Sequence, residues 1–150
     1  MPQSLAKILT HIVFSTKRRN PCLNKEIRAE LYPYISKILT NKNCYPIEIG
    51  GMADHLHILC VISKNISASN LLEEIKTASS KWIKTKSSDL TNFHWQNGYG
   101  IFSVSQTHLE IIRAYILNQE KHHQEITFQG EFRKLLNKYD VIYDERYVWD

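Results

Sequence analysis

Apolar positions along the chain change period several times, and each change marks an element. From Leu5 to Ser15 the sequence runs into His11-Ile12-Val13-Phe14-Ser15, β-branched and aromatic, and stops at Lys17-Arg18-Arg19 and Asn20-Pro21, which predicts a first strand. From Asn24, a good N-cap residue, Ile27, Leu31, Tyr34, Ile35, Ile38 and Leu39 recur at helical spacing until Asn41-Lys42-Asn43. Pro33 is awkward inside that helix and marks a point where it can kink. Tyr45, Ile47 and Ile49 then alternate up to Gly50-Gly51, so that with the run after Ala53 they predict an antiparallel hairpin. Ser67-Ala68-Ser69-Asn70 opens a long amphipathic helix outlined by Leu71, Leu72, Ile75, Ala78, Ser79, Trp82 and Ile83. A loop over 87–97 leads through Gly98-Tyr99-Gly100 to a fourth strand, Ile101–Ser105. One helix is expected from about Thr107 to His123 and a last one from Phe128 to Tyr139, followed by an aromatic tail expected to be mobile or partner-bound.

The most informative stretch is Ala53-Asp54-His55-Leu56-His57-Ile58-Leu59-Cys60-Val61-Ile62. Side chains alternate faces on a strand, so His55 and His57 project from one side while Leu56, Ile58, Cys60 and Ile62 face a hydrophobic layer. Two neutral imidazoles on one face can grip a divalent metal, and they can equally be strand histidines with ordinary hydrogen-bond partners. A third ligand elsewhere decides between the two.

The order strand, helix, strand, strand, helix, strand, helix, helix predicts an α+β fold. Its first six elements match the ferredoxin-like split βαβ sandwich, with an antiparallel sheet, helices on one face and extra C-terminal helices. The other face of such a sheet is open, a floor for a ligand, although fold alone assigns no chemistry.

At 150 residues the chain is the size of one domain, 1–150, with core enough to fold without staples. No apolar run approaches the ~20 residues that span a bilayer, and the N-terminus lacks the apolar segment of a secretory signal. A cytoplasmic protein away from membranes is the expectation. Cys22, Cys44 and Cys60 are odd in number and widely spaced, which suggests reduced, structural thiols rather than a disulfide framework or a zinc knuckle. A net charge of +4 permits an anionic partner. Its distribution says more: Lys17-Arg18-Arg19 follows a strand, and Lys76, Lys81, Lys84 and Lys86 gather on one predicted helix, as a solvated face or a phosphate contact.

The helix after the fourth strand holds Tyr115-Ile116-Leu117-Asn118-Gln119, and residues four apart lie one turn above each other. Tyr115 and Gln119 therefore point together, a phenol beside an amide oxygen. They are either a nucleophile beside a metal ligand or a partly buried tyrosine with a surface glutamine. His122 and His123 follow within a turn, either one a candidate base for the tyrosine proton, with exposed residues favoured by the negative helix end the expected reading.

Taken together, the chain resembles the single-tyrosine transposases of the HUH class, the IS200-like enzymes of bacterial insertion sequences. The resemblance spans nearly the whole sequence. It is carried by His11-Ile12-Val13-Phe14-Ser15-Thr16-Lys17, Ala53-Asp54-His55-Leu56-His57, Trp95-Gln96-Asn97-Gly98-Tyr99-Gly100-Ile101-Phe102-Ser103-Val104-Ser105 and Tyr115-Ile116-Leu117-Asn118-Gln119 with His122-His123. Phe128-Gln129-Gly130-Glu131-Phe132 and Tyr143-Asp144-Glu145-Arg146-Tyr147 complete it. It implies His55, His57 and Gln119 as ligands of magnesium or manganese, the latter better suited to nitrogen donors, and Tyr115 as the nucleophile. The implied activity cleaves and rejoins single-stranded DNA through a 5′-phosphotyrosine, with hairpins at the element ends recognised. Lys17, Arg18 and Arg19 would meet phosphates, and Tyr99 or Trp95 would stack on bases. The resemblance further implies a homodimer whose first strands pair edge to edge and whose active sites are completed in trans.

Two other readings are carried forward: a ferredoxin-like module that holds single-stranded nucleic acid without cutting it, and a host-domesticated relative acting on chromosomal hairpins. A small metal-dependent hydrolase would differ by turning over and releasing its product.

Overall fold

The computed structural model describes residues 2–150. Its centre is a four-stranded antiparallel sheet in the order β2-β3-β1-β4, formed by β1 (Ile8–Ser15), β2 (Tyr45–Met52), β3 (His55–Ile62) and β4 (Gly100–Ser103). β1 pairs along its whole length with β3, from Ile8 opposite Ile62 to Ser15 opposite His55. On its other side Thr10 to Val13 pair with β4. Helices α1 (Lys25–Asn41) and α2 (Ala68–Lys84) are the crossovers, so the expected ferredoxin-like arrangement is the one the chain adopts. Their starts are capped as the sequence suggests: Asn24 accepts from the Ile27 amide, and the Ser67 hydroxyl accepts from that of Asn70. Pro33 sits inside α1.

The alternation along β3 divides the molecule into two layers. Leu56, Ile58 and Cys60, with Ile12 and Phe14 of β1, are buried against Leu31, Ile35 and Leu39 of α1 and Leu71, Leu72 and Ile75 of α2. This is the main core. The opposite face, expected to be open, is covered. There Leu9 and Leu59 pack on Ile112 and Ile116 of α3 (Leu109–Leu117). Val13 and Phe102 pack on Phe128, Phe132 and Leu136 of α5 (Phe128–Lys138). The sequence could not show that the C-terminal helices fold back over the sheet, because their apolar stripes fit any apolar face.

Several boundaries differ from expectation. The hairpin turns at Ala53-Asp54, and Gly50-Gly51 lie inside β2. Glycine is needed there for close approach: a Cβ on Gly50 would stand 2.7 Å from the Ile116 carbonyl oxygen, so its absence lets α3 lie down on the sheet. The helix expected from Thr107 to His123 is interrupted at Asn118, dividing α3 from a short α4 (Gln119–His122). Leu117, read as an apolar contact, is exposed. The aromatic tail lies on its own chain, with Tyr143, Val148 and Trp149 against the α5 cluster and the Asp150 carbonyl accepting from the Gly98 amide at 2.8 Å. Both long edges of β1 are bonded, which leaves it no free edge for a second copy; the sheet's edges are β2 and β4. Cys44 and Cys60 are buried free thiols and Cys22 a half-buried one. Among the described residues no helix is long and apolar enough to cross a membrane.

Candidate active site

The second face of the sheet carries a polar cluster inside an apolar surround. His11 on β1 and His55 and His57 on β3 share that face because they occupy one parity of the pleat, and all three are fully buried. Buried polar groups need partners, and each ring of the β3 pair finds one on its inner nitrogen. His55 Nδ1 lies 2.7 Å from Asp54 Oδ1, and His57 Nδ1 lies 2.8 Å from His11 Nε2. Both Nε2 atoms are thereby turned the same way, toward the C-terminal helices.

Three elements meet them there. Gln119, the first residue of α4, places Oε1 3.0 Å from His55 Nε2 and 2.9 Å from His123 Nε2. His123 is fixed by its other nitrogen, 2.7 Å from the Ile126 carbonyl. Tyr115 on α3 faces His57 with ring centroids 5.7 Å apart. The i, i+4 relation between Tyr115 and Gln119 survives the interruption at Asn118, because the Asn118 amide still donates to Ala114 and carries the helical path onward.

At the middle stands Glu131 of α5, only 1% exposed. Its Oε1 lies 2.9 Å from His57 Nε2, 3.2 Å from His123 Nε2 and 3.4 Å from His55 Nε2. Its Oε2 accepts from the Tyr115 hydroxyl and, at 3.1 Å, from the Gln119 amide, with His122 Nε2 at 3.2 Å. Burial opposes ionisation of this carboxyl, but the hydrogen bonds from His123, His55 and His57 outweigh it and hold the group far below the usual carboxylate range. Burial likewise opposes protonation of His55, yet its bonds to Asp54 and Glu131 bring the imidazole up to about 9. His57 is lowered by burial, and His11 is lowered to about 3 by burial and by its neighbour His57. Tyr115 is pushed well above the ordinary phenol range, first by burial and then by the Glu131 carboxylate, so its proton is held until something displaces or compensates that charge.

The structure therefore brings His55, His57, Tyr115 and Gln119 to one place within a single chain. His123 belongs with them; its side chain is 7% exposed rather than a free helix end, and His122 also turns inward. Sequence reasoning missed Glu131 and the supporting role of His11. The signal for Glu131 was present: it shares the buried face of α5 with Phe128, Phe132 and Leu136, where an unpaired carboxylate is not expected.

The basic triplet forms a short 3₁₀ turn directly after β1, with Lys17 and Arg18 exposed and the Arg19 guanidinium 5.7 Å from the centre of the Trp149 ring. Trp95 is buried in the main core and donates from Nε1 to the Ser79 hydroxyl at 3.0 Å, so it is no base-stacking platform. Tyr99 is half-buried, with the Lys76 ammonium 5.6 Å from its ring centre. Lys76 is turned away from the solvated face expected for it. It donates to the carbonyls of Gln96, Asn97 and Gly98 at 2.8, 3.1 and 2.6 Å, and burial brings its ammonium down to about 8.

The profile of the family described as "Transposase IS200 like" matches residues 4–119. The transposases for insertion sequence element IS200 of Salmonella typhimurium and Salmonella typhi are each 29% identical to this chain over 114 residues, 73% of this chain and 74% of theirs. Among solved structures, a putative transposase from Deinococcus radiodurans superposes with a TM-score of 0.62 at 22% identity, over 79% of this chain and 98% of its own. A REP-associated tyrosine transposase bound to a REP hairpin does so with a TM-score of 0.62 at 15% identity, over 84% and 74%. Both structural likenesses bear on the fold. The matched segment contains His55, His57, Tyr115 and Gln119 and ends before His123 and Glu131.

Proposed function

Because the chain belongs to the IS200-like transposase family, whose members transfer DNA strands, we propose that it cuts and rejoins single-stranded DNA through a covalent 5′-phosphotyrosine at Tyr115. The observation that supports this most is the Tyr115 ring 5.7 Å from that of His57, with its hydroxyl on the Glu131 carboxylate that also meets His55, His57 and Gln119 on the covered face of the sheet. His55, His57 and Gln119 are the proposed ligands of a divalent cation. Their fit rests on the donor set: imidazoles held through their inner nitrogens turn Nε2 toward one shared space, and an amide oxygen converges on it. Bound there, such an ion supplies positive charge for the scissile phosphate and the charge that develops on it.

Within this reading Tyr115 Oη forms a bond to phosphorus while the bond from phosphorus to the 3′ oxygen breaks, leaving a free 3′ end and a protein-bound 5′ phosphate. The phenol proton faces Glu131 Oε2, the acceptor already in contact with it. The covalent link keeps the energy of the broken phosphodiester, so rejoining needs no nucleotide. A hairpin-bearing strand is the proposed DNA partner, supported by the hairpin held by the REP-associated relative of the same fold. Lys17, Arg18 and Arg19 are proposed to contact phosphates and Tyr99 an unpaired base. A cytoplasmic location is proposed, supported by membership of a family that acts on DNA. The proposed tyrosine attack uses the imidazole pair of the same chain, a reading supported by the Tyr115 ring lying 5.7 Å from that of His57.

The test is incubation with an end-labelled single-stranded oligonucleotide carrying a hairpin, in the presence of manganese. A labelled protein–DNA adduct is expected, mapped to Tyr115 by peptide mass. Tyr115→Phe is expected to lose the adduct and keep hairpin binding. An adduct that persists in that variant removes Tyr115 from the chemistry, and a wild-type protein that binds without any adduct favours the non-cutting module.

A further inference from the structure

We infer that Glu131 and His123 are also metal ligands, so that a segment beyond the family-matched region turns the site into a three-histidine, one-carboxylate centre for a first-row transition ion rather than magnesium. This rests on the metal reading of His55 and His57 above and extends it. His55, His57, His123 and Glu131 each offer one donor atom, and those four atoms lie within 4.8 Å of one another.

The oxygens of Glu131 and Gln119 stand from the imidazole nitrogens at distances that a shared ion also requires. An ion with bonds of about 2.1 Å separates neighbouring donors by about 3.0 Å in an octahedron and about 3.4 Å in a tetrahedron. Glu131 Oε1 stands 2.9, 3.2 and 3.4 Å from the Nε2 atoms of His57, His123 and His55, and Gln119 Oε1 stands 3.0 and 2.9 Å from those of His55 and His123. Each of the three imidazoles is held from behind through Nδ1, by Asp54, His11 and the Ile126 carbonyl respectively for His55, His57 and His123. Such outer partners orient histidine ligands. The site as a whole is nearly closed to water: His55 and His57 are fully buried and Glu131 is 1% exposed.

The chemistry of the donors sets the preference. Magnesium demands oxygen ligands and gives up its waters reluctantly, whereas three imidazoles with one carboxylate suit manganese, iron or zinc. A single carboxylate also offsets part of the ion's charge in a site with no other buried acid within reach of the imidazole Nε2 atoms among the described residues. Its second oxygen remains on Tyr115, which ties the position of the nucleophile to that of the ion through one side chain.

The test reads binding without DNA or turnover. Purified full-length protein, stripped with chelator, is titrated with manganese chloride and followed by loss of the free-ion electron paramagnetic resonance signal, with and without excess magnesium. One manganese per chain is expected, retained against a hundredfold excess of magnesium. Glu131→Gln and His123→Ala are each expected to weaken binding by at least the 10–100-fold typical of losing an outer partner. Melting of the metal-free variants reports whether each is folded, and His123→Ala carries the test should Glu131→Gln fail to fold. Unchanged affinity in both folded variants, with binding lost in His55→Ala, overturns this inference and leaves the three-ligand reading intact. Displacement of manganese by comparable magnesium overturns the selectivity. No binding to the wild type overturns both readings.

Discussion

Glu131 touches four imidazoles, an amide and a phenol, and that one carboxylate explains most of the site's electrostatics. A buried carboxylate without partners is neutralised or expelled; surrounded by donors, it stays ionised and organises them. The same logic runs outward to the residues that hold the ligands. Asp54, in the turn between β2 and β3, fixes His55 from its far nitrogen, and it reaches the ring only because it immediately precedes the strand. Replacing it by asparagine keeps the shape and removes the charge. Asp54→Asn is therefore expected to weaken manganese binding about 10–100-fold, read by calorimetry, with the melting temperature of the metal-free protein little changed. Equal affinity would show that the orientation of His55 does not depend on this carboxylate.

The elements position these side chains by how closely they pack. Tyr115 precedes Ile116, whose backbone carbonyl and side chain rest on Gly50, the residue paired with His57 across the hairpin. The distance from α3 to the sheet, and hence from the phenol to the imidazoles, is set where a side chain is missing. Gly50→Ala adds a carbon 2.7 Å from the Ile116 carbonyl oxygen, so α3 or β2 must move. We expect a destabilisation of about 1–3 kcal/mol by urea unfolding, together with a lower yield of the Tyr115 adduct; neither change would mean that the sheet accommodates α3 by other means. On α5, Thr127 caps the first turn by accepting from the Gly130 amide, and Phe128, Phe132 and Leu136 anchor the buried stripe that brings Glu131 inward.

In the whole molecule, two layers on opposite faces of one sheet divide the labour. α1 and α2 make the main core with Leu56, Ile58 and Cys60, and the C-terminal helices close over His11, His55 and His57. β1 is bonded on both sides, and Tyr115 meets the imidazole pair of its own chain. Mixing Tyr115→Phe with His57→Ala, each inactive alone, is thus expected to restore no adduct. Recovery toward about a quarter of the wild-type yield, the limit of random pairing, would mean that the sites are completed between copies. The first-strand dimer implied by the resemblance is not available to this sheet without breaking its bonds to β3 or β4.

Local patterns were enough to determine the alternation that puts His55 and His57 on one face, the caps at Asn24 and Ser67, the order of the first six elements and the pairing of Tyr115 with Gln119. Each depends on spacing within a few residues, and periods of 2 and 3.6 are properties of the backbone itself. Tertiary structure alone decided that the imidazole face is covered, that His123 and Glu131 enter the site, and that the aromatic tail returns to its own chain. Those outcomes follow from where distant apolar stripes find each other, and a stripe specifies that it must be buried without specifying against what. Gly50-Gly51 shows the boundary between the two: by sequence the pair marks a turn, whereas in the fold Gly50 leaves the space that α3 occupies.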